Sequence, residues 1–198
     1  MSETRSYPRR VRTDAGDIEF DLMRRADEAA VLAFAKALPA HDLLFLPRNI
    51  SQPKVLSAWI NEIERGDIVS LLARKGGAVV GCGTLVRDSH SWSPHVGEIR
   101  MVVSLDVRGK GVGRALSQET FALALASGLE KLSVQMTVDQ RAAIALFESL
   151  GFKAEALLRD HVRDAGGQKH DIVVLGHNVA QVRAQLEAYG LPGAVTPS

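Results

Sequence analysis

The sequence has almost no cysteine, and neither sign of charge prevails in it. Cys82 is the only cysteine among 198 residues, so an intramolecular disulfide is excluded, which fits a reducing compartment. Lys and Arg number 24 and Asp and Glu 23, which gives a formal net charge of +1. This balance gives no reason to expect a nucleic-acid partner, because proteins that bind nucleic acids carry a basic surface.

Long apolar runs are also missing. Charged residues interrupt the apolar stretches well short of a membrane-spanning length, and the N-terminal sequence Met-Ser-Glu-Thr-Arg-Ser has no apolar core like that of a signal peptide. His, Cys, Asp and Glu show no C-x-x-C or H-E-x-x-H spacing, so we expect no metal site. The sequence therefore predicts a cytoplasmic protein without a membrane partner.

The sequence does contain strand-like and helix-like segments of ordinary length. Apolar patterns predict strands at 18–23, 67–74, 78–86, 96–105, 132–138, 152–162 and 171–176. Helical spacing predicts helices at 29–38, 54–65, 112–127 and 178–189, and one more between a cap at Asp139 and a stop at Gly151. Glycine-rich turns at 75–77 and 164–167 predict two hairpins. This order indicates a mixed α/β layer arrangement.

The same pattern divides the chain into three parts. Residues 1–17 carry a cluster of arginines and are expected to form a flexible, solvated N-terminal tail. Residues 18–177 hold the predicted sheet and helices, enough for one domain with a sizeable core. Residues 178–198 are expected to form a short amphipathic helix and a loose C-terminal tail.

The most informative segment is Arg-Gly-Lys-Gly-Val-Gly-Arg at residues 108–114, between a predicted strand and a predicted helix. Three glycines at alternate positions leave backbone N–H groups unshielded. The helix that follows adds unpaired N–H donors and the positive end of its dipole. With three basic side chains beside it, the segment is suited to bind a phosphate group.

Three kinds of phosphate loop compete for this segment. A P-loop is excluded, because Lys110 precedes the last glycine and no Ser or Thr follows it. A dinucleotide fingerprint G-x-G-x-x-G starts at Gly111 and Gly113 but has Leu116 in its third glycine position. The third pattern, R-x-x-G-x-G, is complete in Arg108, Gly111 and Gly113.

This third pattern resembles the pyrophosphate loop of the GNAT superfamily, the acyl-CoA-dependent N-acetyltransferases. A second block, Ala-Ile-Ala-Leu-Phe-Glu-Ser-Leu-Gly-Phe at residues 143–152, resembles the A-I-x-L-Y-E-x-L-G-F block of the same family and follows a predicted strand. The resemblance covers about residues 18–177. It implies an α/β fold with a mixed, mostly antiparallel central sheet, helices on both faces, and middle strands that splay apart.

The resemblance implies acetyl-CoA as the acyl donor and an amine as the acceptor. It also implies a bulge near Met101, Val102 and Val103, where free N–H groups would polarise the thioester carbonyl. The residues it assigns to the cofactor site are Met101, Val102, Val103, Arg108, Gly109, Lys110, Gly111, Val112, Gly113, Arg114, Gln140 and Phe147.

Glu98 and His95 are the candidates for the base that takes the amine proton. Glu98 precedes the phosphate loop on the predicted strand, where many family members carry a functional glutamate, and His95 lies three residues earlier. Two residues depart from the family pattern. Phe147 replaces a tyrosine that protonates the leaving thiolate, and Gln140 replaces an asparagine that contacts the pantetheine arm.

Three functions remain open from the sequence. The first is N-acetyl transfer to a small-molecule or protein amine, and the second, prompted by Phe147, is an idle acyl-CoA-binding or sensor domain. A nucleotide-binding oxidoreductase is the third. Acceptor specificity is expected from residues 40–53, 88–95 and 164–169, and a homodimer is left open.

Overall fold

The computed structural model describes residues 5–88 and 90–180. The strands are β1 (Arg9–Thr13), β2 (Gly16–Leu22), β3 (Ile68–Lys75), β4 (Ala78–Arg87), β5 (Val96–Val103), β6 (Lys131–Thr137), β7 (Lys153–Arg163) and β8 (Lys169–Asn178). The α-helices are α1 (Glu28–Ala37), α2 (Pro53–Arg65), α3 (Val112–Ala126) and α4 (Arg141–Ser149). The strands form one sheet in the order β1-β2-β3-β4-β5-β6-β8-β7. Only the β5–β6 pair is parallel, so the predicted mixed and mostly antiparallel sheet is confirmed.

The two faces of the sheet carry different helices. Cys82 of β4 and Val102 of β5 belong to the core shared with α1 and α2. Leu85 and Ile99 of the same strands belong to the core shared with α3 and α4. Because successive side chains of a strand point to opposite faces, even positions near the middle of the sheet face α1 and α2, and odd positions face α3 and α4.

The N-terminal segment differs from the flexible tail that the sequence predicts. Residues 9–13 form β1, which pairs with β2 from Arg9–Phe20 to Thr13–Gly16. Glu119 of α3, which is 3% exposed, accepts a hydrogen bond from Tyr7 at 3.0 Å. It also pairs with Arg5 at 2.8 Å and Arg9 at 3.5 Å. The charges that suggested a solvated tail thus hold this segment against a buried carboxylate.

The strands β5 and β6 separate along their length. Their parallel pairing runs from Val96 with Lys131 to Ile99 with Val134 and ends there, although both strands continue. The opening lies at the carboxyl ends of the two strands, next to the start of α3. This is the predicted splay of the middle strands.

The remaining elements lie near their predicted positions. The β3–β4 and β7–β8 hairpins are present, and β8 extends two residues further than expected, to Asn178. The expected cap at Asp139 is wrong by one position, because Gln140 is the N-cap residue of α4. Of the helix predicted at 178–189, residues 178–180 lie within the described part of the chain; Asn178 still belongs to β8, and residues 179 and 180 are helical. No helix in residues 5–88 and 90–180 is long and apolar enough to cross a membrane.

Candidate active site

The N-terminus of α3 is open to an anion. Gly111 is its N-cap residue, with φ of 80°, a left-handed conformation that favours glycine, and no side chain caps the helix. The first intrahelical bond is donated by Ala115 to the Gly111 carbonyl at 3.0 Å. The N–H groups of Val112, Gly113 and Arg114 therefore have no acceptor within the helix, and the helix dipole adds partial positive charge there.

A groove of about 530 Å³ starts at this helix end and follows the opening between β5 and β6. It is bounded by α4 on one side and by the end of β5 on the other. Its lining residues are Asp42, Phe45, Met101, Val102, Val103, Arg108, Gly109, Gly111, Gly113, Arg114, Asp139, Gln140, Arg141, Ala142, Ala143 and Leu146. The structure thus brings together nine of the twelve residues that the sequence assigned to the cofactor.

Lys110, Val112 and Phe147 are the three assigned residues that do not line the groove. The Lys110 ammonium donates to the Asp106 carbonyl at 2.7 Å, outside the groove. Val112 is fully buried under the loop. Phe147 is 4% exposed and packs edge-on against Phe152 with ring centroids 5.2 Å apart. α4 faces the groove through Arg141, Ala142, Ala143 and Leu146, and Phe147 lies on the adjoining core face.

The three arginines of the groove have different partners. Arg108 donates from Nη2 to Asp42 at 2.7 Å, and from Nε and Nη2 to the Val103 carbonyl at 3.0 and 2.9 Å. It therefore braces the loop as well as lining the groove. Within the described residues, the one hydrogen bond of the Arg114 side chain is donated to the Ser149 hydroxyl, at 3.3 Å. Arg141, which is exposed at the start of α4, was missed from sequence because a single basic residue after an N-cap has no distinctive pattern.

Backbone donors at the end of β5 face the opening. Ser104 donates to the Val80 carbonyl of β4 at 2.9 Å. Since successive N–H groups of a strand point to alternate sides, those of Met101 and Val103 point away from β4. The expected bulge is wrong, because β4 and β5 stay in continuous register from Gly81–Val103 to Arg87–Gly97. The donors lack strand partners because β6 diverges from β5.

A second cavity, of about 270 Å³, lies on the α1 and α2 side of the sheet. It shares Met101 and Val102 with the groove, so the two spaces meet at the end of β5. Its lining residues are Leu46, Pro47, Arg48, Ile50, Val55, Trp59, Glu62, Ile68, Cys82, Thr84, Val86, Arg100, Met101 and Val102. Of the segments expected to set acceptor specificity, residues 40–53 contribute to it, whereas the described residues of 88–95 and 164–169 do not.

The two predicted bases occupy different places. Glu98 is paired with Arg100 through two hydrogen bonds of 2.9 Å, which engage both carboxylate oxygens. Arg100 lines the second cavity, and Glu98 lies behind it on the same face of β5. His95 is exposed and precedes β5, so a rise of about 3.3 Å per residue puts it roughly 20 Å from Met101. This geometry disfavours His95, and both assignments stay predictions.

Cys82 lines the second cavity, but its chemistry there is restricted. The thiol is 2% exposed, and burial raises its pKa to about 12, against a weak opposing effect of a hydrogen bond from Thr84. A thiolate is therefore scarce at neutral pH. Cys82 therefore fits the role of a small buried core residue better than that of a nucleophile that would carry the acetyl group.

Comparison with known proteins places this geometry in a family context. Residues 37–152 match the model of the acetyltransferase (GNAT) family. Over 94 residues the chain is 36% identical to a protein of Azospirillum brasilense named IAA acetyltransferase, a match that covers 47% of this chain and 60% of that protein. A mouse protein named as an N-acetyltransferase family 8 member is 32% identical over 84 residues, or 41% of this chain and 37% of its own length.

A solved structure extends the likeness to most of the fold. It is an acetyltransferase from Salmonella typhimurium, described with its cofactor acetyl-CoA, which superposes with a TM-score of 0.70 at 19% identity. The superposition covers 82% of this chain and 94% of that one. The chain matches 60% and 37% of the lengths of the two curated relatives, which is less than two thirds of either.

Proposed function

The chain belongs to the GNAT family of acetyltransferases, and on that premise we propose that it transfers an acetyl group from acetyl-CoA to the primary amine of an acceptor. The observation that carries this proposal is the meeting of two cavities at Met101 and Val102. One cavity has an open helix N-terminus for phosphate groups. The other is largely apolar and opens on the opposite face of the sheet.

The groove suits the charge of the cofactor. Bound acetyl-CoA supplies the reactive thioester. The first-turn N–H groups of α3 hold its pyrophosphate, and Arg114 and Arg141 add positive charge along the groove. The Met101 and Val103 N–H groups face the junction, where they stabilise negative charge that develops on the carbonyl oxygen.

Transfer at the junction requires little acid catalysis. The acceptor nitrogen attacks the carbonyl carbon, the carbon–sulfur bond breaks, and the amine loses one proton. Phe147 is buried, and Tyr7 is committed to Glu119, where burial and that carboxylate raise its pKa. CoA leaves as a thiolate, which a thiol pKa of about 8.5 permits.

The cavity beside α2 is the acceptor site in this proposal. Its volume of about 270 Å³ and its apolar walls favour a small amine with an apolar body. A protein amine would have to present a single side chain or an N-terminus to the same space. A cytoplasmic location, a homodimer and the division of the chain at residues 17 and 177 also stay predictions.

Binding of CoA gives the first test. Saturating CoA or acetyl-CoA should raise the melting temperature by about 5–10 °C, as expected for ligand at roughly 100 times its Kd, whereas NAD and ATP should not. Gly113→Ala sharpens this test. The added Cβ meets Leu146 at 3.7 Å and Val103 at 4.0 Å, both ordinary contact distances, and alanine favours a helix, so the unliganded variant should melt no lower than the wild type.

The same Cβ should obstruct the approach of the pyrophosphate and weaken CoA binding about tenfold. A shift produced by NAD and not by CoA would contradict the proposal. Turnover is then measured as release of free CoA with a panel of arylalkylamines, amino acids, polyamines and N-terminal peptides. Tight CoA binding without turnover on any of them would favour the idle acyl-CoA-binding domain.

A further inference from the structure

One short segment, residues 40–47, crosses the opening between β5 and β6. It begins with the 3₁₀ turn Ala40–Leu43, between α1 and α2. Asp42 binds Arg108, on the β5 side, at 2.7 Å. The preceding residue, His41, contacts Asp139, on the β6 side, with 2.7 Å between Nε2 and Oδ2. Two consecutive residues therefore fasten this crossing segment to both edges of the opening.

The crossing segment separates the groove from the acceptor cavity. Asp42 and Phe45 line the groove, whereas Leu46 and Pro47 line the cavity. His41 lies at the β6 edge of this partition, and its side chain is 34% exposed. His41 itself lines neither space, but its chain neighbour Asp42 and its bonding partner Asp139 both line the groove, so the imidazole lies at the edge of the groove.

The contact with Asp139 selects the tautomer of the neutral His41 imidazole. Burial by itself would raise the pKa of Asp139. The hydrogen bonds that its carboxylate accepts, one of them from His41, have a larger combined effect, so the pKa is lowered. A carboxylate facing Nε2 requires the neutral ring to carry its proton there. Nδ1 then keeps a lone pair that can accept a proton. This is the arrangement by which a carboxylate orients a histidine base.

A second histidine pair adjoins the first. His170 of β8 lies with its ring centroid 5.0 Å from that of His41, at 73°. Its Nε2 is 2.9 Å from Oδ2 of Asp164 in the β7–β8 turn, and the side chain is 16% exposed. The charged groups around His41 are thus Asp42 with its partner Arg108, Asp139, and His170 with Asp164. Asp139 is bonded to His41 and Asp164 to His170, and Asp42 is paired with Arg108.

We propose that His41, oriented by Asp139, accepts the proton of the attacking amine and that His170 relays it to solvent. As the nitrogen–carbon bond forms and the carbon–sulfur bond breaks, one N–H proton passes to Nδ1 of His41. This inference rests on the proposed function. It gives the proton a neutral acceptor, whereas both oxygens of Glu98 are engaged by Arg100.

The test compares glutamine variants at the histidines. In His41→Gln the amide can still donate to Asp139 and hold the crossing segment, but it cannot accept a proton at neutral pH. With an amine that the panel identifies, kcat should fall about 100-fold, the lower range for loss of a general base. The KM for acetyl-CoA should stay within twofold, and the rise of kcat with pH that reports the base should disappear.

Two further variants complete the series. His170→Gln should lower kcat a few-fold and keep the pH dependence. His161→Gln, on the exposed strand β7, is the matched control and should behave as the wild type. If Glu98→Gln removes the ascending limb and His41→Gln does not, the proposal is overturned. If His41→Gln raises the KM for acetyl-CoA and leaves kcat unchanged, His41 only holds the crossing segment in place, and the proposal is also overturned.

A readout without turnover separates this inference from the proposed function. Long-range ¹H–¹⁵N spectra of the labelled protein should show His41 with a protonated Nε2 and a bare Nδ1, and its signals should shift when acetyl-CoA is added. The opposite tautomer would contradict the proposal even if the protein is an active acetyltransferase. If no amine supports turnover while CoA binds, the proposed function fails instead.

Discussion

The groove and the acceptor cavity meet at two residues and are built in different ways. The groove is lined by the end of β5, the β5–α3 loop, the start of α4 and two residues of the crossing segment, and its phosphate end is formed by glycines and by main-chain N–H groups. The cavity is formed by large side chains from α2, β3, β4, β5 and the crossing segment. A backbone-built site keeps its shape when side chains change, so it can serve one cofactor while the opposite wall accommodates different acceptors.

Because of this contrast, we expect the largest effect on CoA binding from a substitution that alters the backbone of the groove. Gly111→Asp should weaken CoA binding by about 100-fold, because it puts a negative charge and a Cβ at the phosphate site. Gly128→Asp is the control, since Gly128 also has a positive φ, 73° against 80° for Gly111, but follows the other end of α3. Isothermal titration with CoA gives both affinities. Equal losses would mean that the effect is backbone strain and that the groove is not the phosphate site.

A change in the cavity should affect the acceptor alone. Val55→Phe adds a ring to a space of about 270 Å³ and should raise the acceptor KM about tenfold, a typical cost of overpacking, while CoA affinity stays the same. Val79→Phe is the matched control, because Val79 packs partly buried against the same core but does not line the cavity. Steady-state kinetics with both substrates varied would decide. Loss of CoA affinity in Val55→Phe alone would show that the two sites are not separable.

The smallest predicted effect concerns stability outside both cavities. His177 is 6% exposed among Phe121 and Phe152, and burial lowers its pKa. Its folded-state pKa is thus below the unfolded value of about 6.5, so its contribution to stability is present above that pH and is lost as the pH falls through the folded pKa. The slope for one group cannot exceed about 1.4 kcal/mol per pH unit.

His177→Leu should therefore flatten the fall in the free energy of unfolding between pH 7 and pH 5, measured by urea denaturation, without changing CoA affinity at pH 7. His161→Leu, at an exposed position, serves as the control and should keep the wild-type slope. An unchanged slope in His177→Leu would assign the acid sensitivity to other groups. A change in CoA affinity in His177→Leu would show that this part of the core and the groove are coupled.

Much of the fold could be predicted because its signals are local. The apolar patterns of α2, α3 and the central strands lie within single segments, and their predicted positions agree with the structure to within a few residues. β1 was missed because its arginines suggest solvent, and the partner of Arg9, Glu119, is more than a hundred residues away. Arg10 and Arg12 pair instead with Glu19 and Asp17 of β2. Phe147 was assigned to the cofactor site through the family resemblance, but which face of α4 meets the groove is set by packing, and the ring of Phe147 packs against Phe152.

The sequence by itself determined the family, the loop proposed to bind phosphate and the order of the elements, because glycine spacing and periodicity are carried by neighbouring residues. Only the tertiary structure decided which side chains surround the proposed reaction site. The acceptor cavity, the pairing of Glu98 with Arg100, and the contact of His41 with Asp139, 98 positions apart, arise when the sheet opens between β5 and β6. Side chains so distant in the chain meet only through packing, and no local pattern encodes which of them will be neighbours.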